Sequence, residues 1–420
     1  MDILFVHQNY PGQYREILPK LASLRKNRIV FLTQRRDLPK ASDHAIVSYQ
    51  PDHVPKRDAY RYTSWFESTC GNGIGAAKAC AALKKSGFNP ALVIGHIGWG
   101  ELTFIKDVWP DAAVVGYFEY YFIPTGGCVA FDPEFREEPD IASLLHARNA
   151  MNYLSFMRCA AGHTATEWQK RTYPELFHAK IDVIHEGIRT DRLVPDHSSD
   201  IELPVADPPL RRGDEIVTYV ARNLEPTRGF HIFMRALPAV LRARPKVRIV
   251  VVGGDKVSYG PRHATGETFR ARLIRELGDS VDWSRIHFLG YIRYASLVQL
   301  LKISTCHVYL TMPFVVSWSM LEAMALEKIV VASDVASVRQ FAEHGRNALL
   351  VDYFSPAKLA ETIVDVLGNP DKYRPLAEAA RRDVVANYDF NTVCYPAFLR
   401  LLTRVLPAAR PHLEGDGTRV

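Results

Sequence analysis

The chain has 420 residues, enough for two domains with separate cores, and its 47% hydrophobic, 23% charged and 11% aromatic content excludes disordered, collagenous and fibrous classes. A formal net charge of +6 is mild for this length; it suits anionic ligands such as phosphates, and the dense basic stripe of a dedicated nucleic-acid binder is missing. The 6 cysteines are scattered without a C-x-x-C pair, so neither a disulfide framework nor a zinc site is expected, and no D-x-D triplet offers ligands to a divalent ion.

In chain order, Ile3–Val6 reads as a buried strand, and the polar residues after it leave too short an apolar run for a signal peptide. No window approaches the ~18 continuous apolar residues of a spanning helix. A cytoplasmic protein is expected, at most peripheral at the inner membrane face. The first strand runs into His7-Gln8-Asn9-Tyr10-Pro11-Gly12-Gln13. Gly12 at a strand-to-helix turn lets backbone amides approach an anion, although Pro-Gly is equally a plain turn. The expected first helix, Gln13 to Asn27, sets Arg15, Lys20, Arg25 and Lys26 beside Ile17, Leu18, Leu21 and Leu24. Such a basic amphipathic surface either sits on anionic lipid or is simply solvated.

Strands at Ile29–Thr33, Ala91–Gly95, Ala113–Tyr117 and Asp182–His185 alternate with helical stretches such as Gly73–Ser86 and Ile141–Ala160, the pattern of βαβ units in a parallel sheet. Residues 1–195 form the expected first domain. The proline-rich, aperiodic stretch 196–213 reads as a linker. The alternation restarts over 214–389, with strands at Glu215–Ala221, Val247–Val252, Ile286–Leu289, His307–Thr311, Ile329–Ser333 and Leu349–Val351. A last helix over 390–406 is expected to pack back on the first domain, and the residues after Pro407 to fray. The fold class is α/β, with two Rossmann-like domains facing across a cleft, so chemistry is sought in the loops that follow strands.

Two such loops stand out in the second half. Arg222 and Arg228 flank a strand-to-helix loop that ends in Gly229-Phe230, where a guanidinium can grip phosphate oxygens; solvated loop charges are the alternative. Further on, a strand leads through Phe314 to Ser317-Trp318-Ser319, where either serine can cap a helix carrying Glu322 in its first turn. Free amides there suit a diphosphate and the carboxylate suits ribose hydroxyls, unless Glu322 merely answers the helix dipole.

Arg222-x5-Arg228-Gly229, Ser319-x-Leu321-Glu322-Ala323-Met324-Ala325, Val330–Ser333 and Asn347–Asp352 together resemble glycosyltransferase family 4, in order and with fitting intervals. Phe5–Gln13 and Val183–Ile188 match it too, so the resemblance spans nearly the whole chain. It implies the double-Rossmann GT-B fold and a retaining group 1 glycosyltransferase that needs no metal or cofactor, its nucleotide sugar being a substrate. Arg222 falls on the arginine of the donor diphosphate, and Arg228 stands where lysine is usual. Glu322 falls on the ribose-binding glutamate, Ser317, Trp318 and Ser319 on the loop facing the diphosphate, and Gly12 on the loop that closes over the donor. Phe314 occupies the place of the family's first motif glutamate, which contacts donor-sugar hydroxyls. Glu119, after the Ala113–Tyr117 strand, stands where relatives place a histidine or acid, and His96 ends the strand before it. Either can assist catalysis by orienting an acceptor hydroxyl or supporting charge; hydrogen bonding within the protein is the plainer role.

The expected activity is transfer of a sugar from a nucleotide-sugar donor to a glycan, a lipid-linked sugar or a small molecule. An epimerase of the same fold would need acid/base groups but no acceptor. A non-catalytic sugar-nucleotide-binding protein is the reading that Phe314 suggests.

Overall fold

Nearly continuous runs of Val, Ile, Leu and Phe, with no polar face, can be buried only where helices cover both sides of a sheet. In the computed structural model, which describes residues 1–24, 26–37, 43–135, 139–197, 201–205, 207–260 and 266–413, those runs build two parallel sheets. The first contains Asp2–Val6 (β1), Arg28–Thr33 (β2), Ala45–Ser48 (β3), Leu92–His96 (β4), Ala113–Tyr117 (β5), Ala161–Thr164 (β6) and Ile181–Val183 (β7), in the order β3-β2-β1-β4-β5-β6-β7. After a short antiparallel pair, Glu202–Leu203 (β8) and Leu210–Arg211 (β9), come Ile216–Asn223 (β10), Arg248–Gly254 (β11), Ile286–Gly290 (β12), Cys306–Tyr309 (β13), Ile329–Ser333 (β14) and Leu349–Val351 (β15). Their order is β12-β11-β10-β13-β14-β15. Both sheets are doubly wound, and the winding reverses between β1 and β4 and between β10 and β13, where such sheets open their ligand crevices.

The chain forms two units, one of Met1–Thr125, Glu137–Gly187 and Phe390–Val420, the other of Gly126–Arg136 and Ile188–Asp389. The second unit therefore begins before the expected boundary at 195. The expected linker is structured in part: β8 and β9 pair within it, and Leu210 is fully buried; residues 198–200 and 206 lie outside the described residues. The 126–136 segment, within the expected first domain, belongs to the second unit by its contacts. Phe131 lies against the rings of Tyr353 and Phe354, Asp132 bonds His231 at 2.8 Å, and Glu134 pairs with Arg235 at 2.6 Å. Apolar and charged residues alternating over so short a stretch carry no periodic signal, so the sequence hides this.

Four expected elements take another form. The first helix reduces to Gly12–Tyr14 and Ile17–Ala22, and Ile17, Leu18 and Leu21 are buried in the first core, so the apolar face imagined on lipid is already covered; Arg25 lies outside the described residues. The helix expected at 73–86 begins at Arg61: Gly71 and Gly75 lie so close to the backbone carbonyls of His53 and Gln50 that no Cβ fits, and these packing glycines mask its periodicity. The stretch expected as one helix at 141–160 is two, broken at Asn149. The tail does not fray at Pro407, because Arg410–Leu413 is helical and Ala409 and Leu413 are buried.

Candidate active site

In the first unit the loops after β1, β4 and β5 converge on one carboxylate. His96 ends β4, and the Gly98 amide donates to its Nδ1 at 2.9 Å. The ring hydrogen therefore belongs on Nε2, which donates to Glu119 Oε2 at 3.1 Å. Gln13, from the loop after β1, donates its Nε2 to Glu119 Oε1 at 2.9 Å. Glu119 keeps 15% of its side chain exposed while His96 keeps 5%. The carboxylate is thus mostly buried, with its orientation set from both sides. Both nitrogens of His96 are engaged, one by Glu119 and the other by the Gly98 amide.

The Glu119 loop is itself fixed. Asn149, at the break between the two helices, donates to the Phe122 carbonyl at 2.7 Å and accepts from its amide at 3.1 Å, and Gln169 donates to the Glu119 carbonyl at 2.7 Å. His7, at the end of β1, repeats the His96 arrangement with Nδ1 accepting from the Asn9 amide at 2.9 Å; its ring lies 5.7 Å from that of His96. Burial, aided by neighbouring His96, pushes His7 down to about 3, so it is neutral at neutral pH. Gly12 has φ +56°, and a Cβ there would stand 2.9 Å from the His7 ring, so glycine is demanded by both backbone and space. Gln13, Asn149, Gln169 and His7 are the members that sequence reasoning passed over. For His7 the available signal was a spacing, His7-x-Asn9, shared with His96-x-Gly98 and His185-x-Gly187, each with the same Nδ1-to-amide bond; the three amide side chains gave none.

In the second unit the crevice end of the sheet carries the expected donor residues. Arg222 is the penultimate residue of β10, exposed, with no hydrogen bond or ion pair among the described residues. Arg228 is half-buried and uses Nη1 on Tyr309 Oη (3.2 Å), Thr311 Oγ1 (3.1 Å) and the Val315 carbonyl (2.8 Å). It therefore shapes the loop after β13. Ser317 is the N-cap residue of the Trp318–Ala325 helix, but its side chain makes no capping bond; its amide donates to Tyr309 Oη at 2.7 Å, and its Oγ lies 3.3 Å from Ser319 Oγ. The helix begins at Trp318, which places Glu322 in its second turn and not its first. Glu322 is 3% exposed and accepts from Tyr294 Oη at 3.0 Å. Phe314 is also buried, with its ring 4.7 Å from that of Tyr259 and 5.5 Å from the Arg228 guanidinium. Among the described residues no three His, Cys, Asp or Glu side chains are grouped to hold a metal ion.

The description "Glycosyl transferase family 4 group" matches residues 25–193 and "Glycosyl transferases group 1" matches residues 205–383. The chain is 26% identical over 227 residues to the alpha-maltose-1-phosphate synthase of Mycolicibacterium smegmatis, covering 52% of this chain and 56% of that protein. It is 29% identical over 182 residues to the phosphatidyl-myo-inositol mannosyltransferase of Mycobacterium leprae, covering 42% of this chain and 43% of that protein. The chain spans about half the length of the curated relatives it matches. Similar folds occur in a glycosyltransferase from Rickettsia africae (TM-score 0.66, 16% identity, 96% of this chain and 98% of that one) and in Anabaena HepE solved with UDP and glucose (TM-score 0.63, 16% identity, 96% and 100%). A sucrose-phosphate synthase from Thermosynechococcus elongatus has a TM-score of 0.68 at 17% identity, over 97% of this chain and 100% of that one. With two doubly wound sheets, family-matching motifs on their strand-end loops and both halves matched in sequence, the chain belongs to glycosyltransferase family 4, the group 1 glycosyltransferases.

Proposed function

We propose that the protein transfers a sugar from a nucleotide-sugar donor to an acceptor hydroxyl, with retention at the anomeric carbon and without a metal ion. The observation that carries this reading is Arg222, an exposed guanidinium at the crevice end of β10 without a partner among the described residues. An exposed arginine at a sheet's switch point, next to a strand whose loop leads into a helix N-terminus, suits a diphosphate. Arg222 and Arg228 grip the diphosphate, the first amides of the Trp318–Ala325 helix cap it, and Glu322 accepts from ribose hydroxyls. These groups take over the neutralising role that a metal ion plays elsewhere.

Glu119 orients the acceptor hydroxyl, and His96 and Gln13 hold it in place. In the transfer, the bond from the anomeric carbon to the diphosphate breaks, the bond to the acceptor oxygen forms on the same face, and the acceptor proton passes to the departing phosphate. The acceptor is a glycan, a lipid-linked sugar or a small molecule. For a lipid-linked acceptor, contact with the inner membrane face runs through charges such as Lys20 and Lys26, since the neighbouring apolar face is buried. A mannosyltransferase among the relatives and a similar fold solved with UDP and glucose support the reading.

A thermal-shift screen of nucleoside diphosphates and their sugars tests it first: a ligand at ~100 times its dissociation constant adds about 2.7 kcal/mol of stability. For the ligand so found, Arg222→Ala removes a charge-assisted contact of about 1.5–3 kcal/mol, roughly ten- to hundred-fold in affinity. Calorimetry that shows equal affinity in the variant refutes the assignment. Tight donor binding with no turnover over a broad acceptor panel would favour the non-catalytic alternative that Phe314 raises.

A further inference from the structure

Glu225, three residues beyond Arg222, is 1% exposed, and one of its oxygens answers three consecutive amides. Oε2 accepts from Ser258 at 3.0 Å, Tyr259 at 3.1 Å and Gly260 at 3.1 Å. Successive amides wrapped round one anion form a nest, and this one is filled from within the chain. No ion pair to Glu225 occurs among the described residues; the three amides bond its carboxylate directly, and the Arg228 guanidinium attracts it from farther off. Asn223 adds a bond from Nδ2 to Ser258 Oγ at 2.5 Å and is itself held by the Tyr291 hydroxyl at 2.7 Å. At Gly260 a Cβ would stand 3.0 Å from Thr227 Oγ1 and 3.4 Å from Glu225 Oε2, so the close fit belongs to the loop as built.

What this clamp fixes is the Tyr259 ring. It lies 4.7 Å from Phe314 and 6.0 Å from the Arg228 guanidinium. Phe314 is 3% exposed and Tyr259 38%, so Phe314 backs the wall and Tyr259 presents it. Glu225 does not replace the carboxylate missing at position 314, because its charge is turned inward onto amides. A carboxylate favours sugar hydroxyls, whereas a ring face favours C–H surfaces.

We propose that Tyr259 is a donor-sugar specificity residue of this chain and that Glu225 is the positioning residue that holds it. The inference rests on the donor-site reading above. The sugar it fits turns a C–H face, or a deoxygenated carbon, toward the wall beside the diphosphate-gripping arginine.

The test compares calorimetric affinities for UDP, GDP, UDP-glucose and GDP-mannose in the wild type and in Tyr259→Ala, Tyr259→Phe, Glu225→Ala and Glu225→Gln. The quantity read is the ratio of sugar-nucleotide to free-diphosphate affinity. Tyr259→Ala is expected to lower this ratio about 2- to 12-fold, the worth of one aromatic contact, and Tyr259→Phe to keep it. Glu225→Ala is expected to lower it as Tyr259→Ala does, and Glu225→Gln, whose carbonyl still accepts amides, to restore part of it. A purely structural Glu225 would lower both affinities and the melting temperature in parallel and leave the ratio alone. Unchanged ratios in Tyr259→Ala and Glu225→Ala overturn the inference while leaving the donor site standing. A wild type that binds none of UDP, GDP, ADP, CDP and dTDP overturns the donor site and the inference with it.

Discussion

Two hydrogen bonds decide what the Glu119 carboxylate offers to an acceptor. Gln13 donates to one oxygen and His96 to the other, so the side chain is held in one orientation. An amide at this position would set an NH2 group against one of those two donors. Glu119→Gln is therefore expected to lower turnover by about 10²-fold, with donor affinity unchanged. Steady-state rates at saturating donor measure this, and full turnover would remove Glu119 from the mechanism. Glu119, His96 and Arg222 stand out in the sequence because charge or an imidazole at the end of an apolar strand is conspicuous, and Glu322 because it is a lone carboxylate in an apolar helix. Gln13 and Asn149 do not, since a neutral amide announces nothing until its partner is known. Arg228 was legible as a cation, but not as the group that shapes the 311–317 loop.

Helices and strands differ in how openly their sequences declare them. The Tyr395–Val405 helix buries Tyr395, Phe398, Leu401 and Leu402, a helical stripe that its sequence shows directly. By contrast β6, Ala161-Gly162-His163-Thr164, lacks a hydrophobic run. It is a strand because Gly162 allows close approach to the Gly116 carbonyl and the Phe118 ring, and those neighbours exist only in the folded chain. The same two elements meet through Phe398, whose ring lies 4.9 Å from that of His163. Phe398→Ala leaves a cavity in the first core and is expected to cost about 3–5 kcal/mol. Urea unfolding measures it; a loss below about 1 kcal/mol would mean that the helix is not held by this side chain.

Across the whole molecule, buried histidines set the response to acid. His7 in one unit and His307 in the other are each held at about 3, chiefly by burial. The unfolded chain takes up these protons near the ordinary value of about 6.5. Their contribution to stability is therefore complete above pH 6.5 and is lost progressively as the pH falls from 6.5 toward 3. Each adds a slope approaching ~1.4 kcal/mol per pH unit in that range. Unfolding measured between pH 7 and 5, above most carboxylate titration, is expected to be shallower in His307→Asn than in the wild type; equal slopes would contradict the burial assigned to His307.

The division of the chain also has a consequence in time. Neither unit is one continuous stretch: the first needs Phe390 onward, and the second borrows Gly126–Arg136 from within the first. During synthesis the first sheet is complete once Ile181–Val183 has emerged, yet the helix that brings Phe398, Leu401 and Leu402 to its core is made about two hundred residues later. For that interval the apolar side chains it will cover face water, so the nascent first unit is the aggregation-sensitive species. The second unit has its Phe131–Asp132 segment waiting from the start, and it can close as soon as β15 and the helices after it leave the ribosome.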